Sequence, residues 1–203
     1  MKFWRISSKL FNEVKHLMQE RENILRVFRE TKEAVSRNDV AKIKNLSDQT
    51  TNTAALTHDP DNIAAAVVIY SLSKIIERKD YRDLNGWSGF YGTYMGAIDR
   101  IIDSLERGND EGFRQGITII RKAIGNLSGK LKDYIQDVFR KAEINKASRI
   151  YEHGISMEKT ARLLGVTLFE LASYSGEKEG SDVPESVTIN VKQRVGFAME
   201  MFE

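Results

Sequence analysis

The chain has 203 residues, of which 41% are hydrophobic and 30% charged. This length and composition suit one domain or two small ones with a core of their own and exclude a disordered chain. The chain has no cysteine, which excludes disulfide scaffolds, zinc ribbons, iron–sulfur sites and thiol catalysis, and weakly indicates the cytoplasm. We expect no membrane segment and no signal peptide, because the longest apolar run (63–70) is far below the ~20 residues that span a bilayer and the charged N-terminus lacks an apolar region.

The N-terminal half reads as a series of helices. Apolar residues recur at three- and four-residue steps over residues 6–37, and a polar, threonine-rich helix is predicted from 39 to about 56. Asp59, Pro60 and Asp61 form a helix start, in which Asp59 caps, Pro60 fits the first turn and Asp61 faces the positive end of the helix dipole. The helix that follows, 62 to about 79, is apolar nearly all round, so it is predicted to lie at the centre of a bundle.

A glycine-rich run follows, with Gly86, Gly89, Gly92 and Gly96. Its spacing matches neither the dinucleotide-binding fingerprint nor the P-loop, so a phosphate-binding loop is not favoured. We instead predict a helix whose small residues allow another helix to approach closely, with aromatic side chains filling its sides. These side chains are Trp87, Phe90, Tyr91 and Tyr94.

Apolar residues from Ile117 onward follow a heptad pattern, with steps of 3, 4, 3, 4, 3 and 4. One long helix is therefore predicted to reach His153 and to end at Gly154, although Gly125 and Gly129 weaken it. A bundle helix is favoured over a coiled coil, and a homodimer formed along this stripe remains an alternative. The stripe consists of Ile117, Ile120, Ile124, Leu127, Leu131, Tyr134 and Val138.

Residues 155–176 have the spacing of a helix-turn-helix. Ser156 is a natural N-cap for a short helix over 157–164, Gly165 supplies the turn, and Thr167 caps a second helix that is predicted to end at Gly176. Ala161 permits a close crossing, and Leu171 packs the second helix on the first. The pattern favours the DNA-binding type over a plain helical hairpin.

This segment also resembles a known class of proteins. The residues that carry the resemblance are Ile150-Tyr151-Glu152, the run from Gly154 to Ala161, Leu163-Leu164-Gly165 and Phe169-Glu170-Leu171, together with the tail SVTINVKQRVGFAMEMFE. They resemble archaeal and other prokaryotic helix-turn-helix antitoxins that are paired with PIN-domain ribonuclease toxins, over about the last quarter of the chain. The resemblance implies a helix-turn-helix that binds operator DNA and represses transcription, and a C-terminal arm that binds the toxin.

The arm has features of a partner-binding segment in its own right. Val187, Ile189 and Val191 alternate as in a short strand, and an apolar helical face follows an acidic stretch. A strand and helix that fold back on the parent domain are the alternative. The residues expected to bind the partner are Val191, Val195, Ala198, Met199 and Phe202.

The charge is unevenly distributed behind a net value of +2. Basic minus acidic residues give 9 − 5 = +4 for 1–37, 9 − 12 = −3 for 38–120, 8 − 3 = +5 for 121–149, 2 − 3 = −1 for 150–176 and 3 − 6 = −3 for 177–203. The segment 168–175 has no lysine or arginine, so strong base readout by the second helix is doubtful. A DNA contact is therefore expected mainly upstream of the motif. The predicted DNA-binding residues are Arg140, Lys141, Lys146, Arg149, Lys159, Thr160, Arg162, Thr167 and Ser173.

No catalytic or metal site is predicted. His16, His58 and His153 lie far apart in sequence, and Asp99 with Asp103 is read as a solvated helix face. We therefore expect an all-α protein that is not an enzyme and needs no cofactor: a helical bundle over 1–147, a helix-turn-helix over 148–176 and a C-terminal arm over 177–203. The alternatives to an antitoxin-like DNA-binding regulator are a helical protein-interaction scaffold and an RNA-binding factor.

Overall fold

The computed structural model describes residues 18–78 and 81–182, with side chains up to Gly176. These residues form eight α-helices and no strand, which confirms the all-α prediction. No helix of this part of the chain is both long and apolar enough to cross a bilayer. In chain order the helices are α1 (Arg21–Ser36), α2 (Val40–Thr57), α3 (Pro60–Glu77), α4 (Trp87–Glu106), α5 (Asp110–Gly125), α6 (Gly129–Glu152), α7 (Met157–Leu164) and α8 (Leu168–Asp182).

Helix α3 lies at the centre, as its all-round apolar sequence predicts. It packs against α1, α2, α5 and α6, and its residues 61–69 are all buried. The Asp59 carboxylate caps it by accepting from the Asp61 backbone N–H (2.8 Å) and also accepts from the Gln19 N–H (2.7 Å). Asp61 also forms a buried ion pair: its carboxylate is fully buried and accepts from Arg114 Nη2 of α5 at 2.9 Å. The predicted helix start is confirmed, and it also binds neighbouring segments.

Helices α4 and α5 form a close pair, but the glycines of α4 do not produce it. A Cβ added to Gly89, Gly92 or Gly96 would meet no atom within 4 Å, so the predicted close approach through these glycines is wrong. The approach is made by α5, where a Cβ on Gly116 would lie 2.4 Å from Ile101 Cγ1. The aromatic residues of α4 do pack as predicted, with Phe90 and Tyr94 buried and the Tyr94 hydroxyl donating to the Val68 carbonyl (2.8 Å).

The single helix predicted from Ile117 to His153 is wrong, because the chain breaks between Gly125 and Gly129. Helix α5 ends at Gly125, and Gly129 opens α6 with a φ of +57°, a backbone conformation that costs glycine little. The heptad stripe is therefore divided between two helices, and its members Ile117, Ile120 and Leu131 are buried inside this molecule. Helix α6 then runs to Glu152, and Gly154 takes a φ of +89° after it.

The other boundaries differ less from the predictions. Helix α2 begins after Asp39, whose side chain accepts from the Lys42 N–H (2.9 Å). The first helix is described only from Arg21, and residues 6–17 of the prediction lie outside the described residues.

Candidate functional site

Helices α7 and α8 are joined by a turn of the predicted kind. The Ser156 hydroxyl accepts from the Lys159 N–H (3.3 Å) at the start of α7, and Gly165 takes a φ of +68° at its end. Ala161, Leu164 and Leu171 are buried between the helices and the bundle. The two predicted helices and the glycine turn are confirmed, but α8 continues past Gly176 to Asp182. We call α7, the Gly165 turn and α8 the helix-turn-helix.

The start of α8 is held by a reciprocal capping arrangement. The Thr167 hydroxyl accepts from the Glu170 N–H (3.1 Å), and the Glu170 carboxylate accepts from the Thr167 N–H (2.9 Å) and hydroxyl (2.7 Å). Both ends of this capping box therefore satisfy backbone donors that the helix leaves unpaired. The predicted Thr167 cap is confirmed, and its hydroxyl is already engaged.

Arg140 of α6 binds the first turn of α8 to the bundle. Its guanidinium makes a bidentate ion pair with the Glu170 carboxylate, in which Nε donates to Oε1 at 3.0 Å and Nη2 donates to Oε2. Its Nη1 donates to Glu143 Oε2 at 3.1 Å. These contacts hold the pKa of Glu170 at about 2, with the Arg140 hydrogen bond as the largest cause. These contacts orient α8 on α6, and the predicted contact of Arg140 with DNA stays a prediction.

Further contacts tie the helix-turn-helix to the bundle. Asn145 Nδ2 of α6 donates to the Tyr174 hydroxyl of α8 (3.0 Å). Lys159 Nζ of α7 lies 3.1 Å from His58 Nδ1, at the end of α2. The helix-turn-helix therefore packs on the bundle in a defined orientation and is not connected to it by a flexible linker alone.

The predicted DNA-binding residues divide into exposed and buried ones. Lys146 and Thr160 are fully buried (0% exposed) and cannot reach a phosphate in this structure, so their predicted role is corrected. The remaining residues are at the surface, although Lys141 pairs with Asp137 (2.8 Å). The exposed members are Lys141, Arg149, Lys159, Arg162, Thr167 and Ser173.

Lys146 is buried because it makes an internal ion pair. Its Nζ lies 2.9 Å from Asp48 Oδ1 of α2 and 4.3 Å from the centre of the Tyr70 ring. Burial lowers the pKa of Lys146, although the Asp48 hydrogen bond acts in the opposite direction. Its cation–π contact and ion pair thus join α2, α3 and α6.

The exposed side of α8 is apolar at its start. Phe169 is 80% exposed and Leu168 50% exposed, and Ala172, Ser173 and Gly176 continue the exposed face without a charge. Phe169 lies at a groove between α3, α6 and α8 that Tyr70 and Tyr174 also line. Among the exposed residues of α8 from Leu168 to Gly176, the Ser173 hydroxyl is the group that could read a base edge. The arm residues Val191, Val195, Ala198, Met199 and Phe202 lie outside the described residues.

A cleft of about 370 Å³ lies between α5 and α6, and Arg140 is among the residues that line it. We call it the α5–α6 cleft. Its deepest charged group is Glu143, which is 2% exposed. Burial raises the pKa of Glu143 to about 7, against the opposing effect of Arg140. The cleft is lined by Thr118, Arg121, Lys122, Ile124, Gly125, Gln136, Phe139, Arg140 and Glu143.

This cleft was not predicted from the sequence, although the residue pattern of α6 indicates buried charged groups. Ile135, Phe139, Ala142 and Ile150 form a buried stripe with steps of 4, 3 and 8 residues, and Lys146 fills the gap at a four-residue step. A charged residue in an otherwise apolar stripe of a helix indicates a buried, paired group. Glu143 adjoins the same stripe, three residues before Lys146.

The described residues contain no group of three metal-ligating side chains. Asp99 pairs with Lys32 across a 2.7 Å contact between exposed side chains, and His58 and His153 contact different partners, Lys159 and Asn52. Comparison of the chain with protein-family models, with curated proteins and with solved structures gave no match.

Proposed function

We propose that the protein is an antitoxin-like regulator that binds operator DNA through the helix-turn-helix and neutralises a PIN-domain ribonuclease through its C-terminal arm. It would carry out no catalysis of its own. The resemblance of residues 150–171 and of the tail to such antitoxins supports the proposal for both functions. The helices, caps and glycine turn of α7 and α8 agree with the part of that resemblance that concerns DNA.

The observation that carries the DNA-binding proposal is the exposed basic pair on α7. Lys159 and Arg162 are three residues apart, so they share one face of a helix whose orientation the bundle fixes. Arg149 adds an exposed positive charge near the end of α6. Cations on a fixed surface can neutralise DNA phosphates without reading bases, which suits an α8 face with little capacity for base readout.

A gel-shift titration with the DNA upstream of the protein's own gene tests this proposal. The wild-type affinity should fall steeply with salt, and the double substitution Lys159→Glu with Arg162→Glu should reduce the slope of log K against log[salt] by about 2 and weaken binding by about tenfold or more. Lys130→Glu is the control, because it changes the charge of an exposed α6 lysine outside the predicted set. Equal losses in the double variant and the control would contradict a contact centred on α7.

The toxin-binding function is tested separately. The protein is co-expressed with a PIN-domain ribonuclease encoded by a neighbouring gene, and co-purification and ribonuclease activity are measured. Deletion of residues 187–203 should abolish both the complex and the inhibition while leaving the gel shift unchanged. Substitution of Val195 or Phe202 by Asp should have the same effect if apolar residues of the arm bind the toxin. Undiminished inhibition by the deletion variant would refute the role of the arm.

A second function, protein binding without DNA binding, is favoured by the apolar start of α8. Phe169 and Leu168 are exposed, and Phe169 lies at a groove that Tyr70 and Tyr174 also line. Protein interfaces are enriched in such aromatic anchors. Under this function the wild-type protein gives no gel shift even at low salt. Phe169→Ser would then remove binding of the ribonuclease, whereas Ser173→Ala, on the same face of α8, would retain it.

A further inference from the structure

The groove at Phe169 has the dimensions of a small-molecule site. It lies between α3, α6 and α8 and has a volume of about 550 Å³, within the range of roughly 300–1,000 Å³ that is typical of such sites. Tyr70 and Arg78 of α3 both line it, and their separation along a helix corresponds to about 12 Å. We call it the α3–α8 groove.

Aromatic side chains that are only partly covered line the α3–α8 groove. Phe169 of α8 is 80% exposed, and Tyr70 of α3 and Tyr174 of α8 are half-buried. Asn145 Nδ2 donates to the Tyr174 hydroxyl (3.0 Å), so this hydroxyl keeps its own proton for a further acceptor. A planar ring that packs on these side chains would remove apolar surface from water. The walls therefore favour an aromatic occupant.

The α3 side of the groove has an excess of positive charge. Lys74 of α3 and Lys44 of α2 pair with the same carboxylate, that of Glu77, at 2.9 and 2.8 Å. Arg78 Nη1 donates to the Tyr134 hydroxyl (3.4 Å), which is a neutral group, and none of the described carboxylates forms an ion pair with Arg78. Three cations are therefore balanced by one carboxylate, and Arg78 is exposed at the groove.

The two carboxylates that line the groove do not offset this excess, because each already pairs with another cation. Asp137 pairs with Lys141 (2.8 Å), and Glu170 pairs with Arg140. An anionic group that enters the groove can therefore form a charge-assisted contact with the Arg78 guanidinium without displacing a protein carboxylate from it.

We propose that the α3–α8 groove binds a small anion that carries a planar aromatic ring. The ring packs against Phe169 and Tyr174, and a phosphate or carboxylate group contacts Arg78. The bound molecule contacts α3 and α8 together, so it holds α8 on the bundle. No bond is made or broken. This binding does not rest on the proposed DNA or toxin functions, and it is tested without either partner.

Two fluorescent dyes with the same rings test the ring and the charge separately. Anilinonaphthalene sulfonate carries an anionic group, whereas phenylnaphthylamine lacks it. Each dye is titrated into the full chain, and the sulfonate dye should bind the wild-type protein saturably with one site per chain. The affinity of each dye is then compared between variants, so that differences in hydrophobicity between the dyes cancel.

Arg78→Gln tests the contact with the anion. It removes the positive charge and keeps an amide beside the Tyr134 hydroxyl, so it should weaken the sulfonate dye by about fivefold or more and leave the neutral dye unchanged. Arg100→Gln is the matched control, because Arg100 is also an exposed arginine but lies on α4, outside the groove. It should leave the affinity for both dyes unchanged.

Phe169→Ser tests the contact with the ring and should weaken both dyes. Leu56→Ser is its control, because Leu56 is 86% exposed on α2 and lies outside the groove. It should leave both affinities at the wild-type value. All four replaced side chains are exposed, so the circular dichroism spectra and melting curves of the variants should match those of the wild type.

Displacement of the bound sulfonate dye distinguishes the two kinds of anion. Adenosine monophosphate offers a planar base and a phosphate, and indolebutyrate offers a planar ring and a carboxylate. Displacement by one of them supports the proposal and assigns the anionic group. Displacement by neither at millimolar concentration would overturn it.

Two further results would overturn the proposal. The first is the absence of saturable binding of the sulfonate dye to the wild-type chain, which would leave the groove to the protein partner of the second function. The second is an equal effect of Arg78→Gln and Arg100→Gln on that dye. The titrations contain neither DNA nor ribonuclease, so failure of the proposed function and failure of this site are distinguishable.

Discussion

Replacement of Glu143 by Gln should make the protein more stable at neutral pH and change how its stability depends on pH. Glu143 is 2% exposed, and burial raises its pKa to about 7 from the ordinary 4.5. Gln has nearly the same shape and carries no proton that can be lost. It therefore imitates the protonated carboxyl group that the folded state prefers.

The sign and size of the change in the free energy of unfolding follow from the pKa of Glu143 in the folded state and in the unfolded chain. Between pH 4.5 and about 7 the folded state keeps the Glu143 proton while the unfolded chain has lost it, so the free energy of unfolding falls as the pH rises through this window. The full effect at pH 8 is about 3 kcal/mol, at 1.36 kcal/mol for each unit between the two values. Glu143→Gln removes this loss, so the variant should match the wild type near pH 4.5 and exceed it by about 3 kcal/mol at pH 8.

Urea unfolding followed by far-UV circular dichroism at pH 5, 6, 7 and 8 measures the difference. Glu158→Gln is the control, because it makes the same substitution at an exposed carboxylate on α7, outside the cleft. Glu170, whose pKa is lowered to about 2, contributes stability that is lost only as the pH falls from 4.5 toward 2, outside this range. Parallel wild-type and Glu143→Gln curves from pH 5 to 8 would refute the reasoning.

Other substitutions test the packing and the corrected roles. Gly116→Ala should lower the free energy of unfolding by about 1–3 kcal/mol, because its Cβ would lie 2.4 Å from an Ile101 side-chain atom. Gly96→Ala should raise the free energy of unfolding by up to about 1 kcal/mol. Urea titrations that give the two variants the same stability would contradict the assigned contacts. Tyr94→Phe should cost about 1 kcal/mol in the same assay, since it removes a buried hydroxyl that donates to a carbonyl. Lys146→Met should leave operator affinity unchanged in a gel shift, because the ammonium group is 0% exposed; a lower affinity in a variant with wild-type circular dichroism would reinstate the predicted DNA contact.

Local capping signals allowed much of the helix pattern to be predicted. Asp39, Asp59 and Ser156 each precede a helix and accept a hydrogen bond from one of its first N–H groups. These signals work because the cap and its partner are two or three residues apart, so sequence spacing determines the geometry. The Gly165 turn was predictable for the same reason, since a positive φ favours glycine.

Heptad spacing did not reveal the break between α5 and α6. Apolar steps of three and four residues continue through Leu127 whether or not the backbone stays helical. The break depends on a positive φ at Gly129 and on how α6 packs against α3. A periodic pattern is therefore evidence for a buried stripe and does not establish one continuous helix.

The glycines of α4 and α5 show a second property that the sequence alone does not predict, namely which glycine contacts a neighbouring helix. Sequence indicates that α4 and α5 both contain glycines at helical spacing, but it does not show which ones face the neighbouring helix. Gly96 has open space around it, whereas Gly116 lies against Ile101. Only the rotation of each helix about its axis decides between them, and that rotation is set by packing over the whole bundle.

The candidate site was the hardest part to predict, because burial of a charge is a tertiary property. Lys146 and Arg140 belong to the most basic segment of the chain, which favoured a surface contact with DNA. In the structure the buried Lys146 pairs with Asp48, and the partly exposed Arg140 pairs with Glu143 and Glu170. Net charge by segment therefore overstates the cationic surface of α6, where Lys141 and Arg149 are the predicted contacts that remain exposed.

Arg140 connects the α5–α6 cleft to the helix-turn-helix. Its guanidinium donates on one side to Glu143 of the α5–α6 cleft and on the other to Glu170 at the start of α8. The two carboxylates compete for the same cation, because ionised Glu143 attracts Arg140 more strongly than the protonated form does. Protonation of Glu143 therefore strengthens the ion pair between Arg140 and Glu170. A change in the charge of Glu143 thus affects the contact between α6 and the start of α8 through the Arg140 side chain.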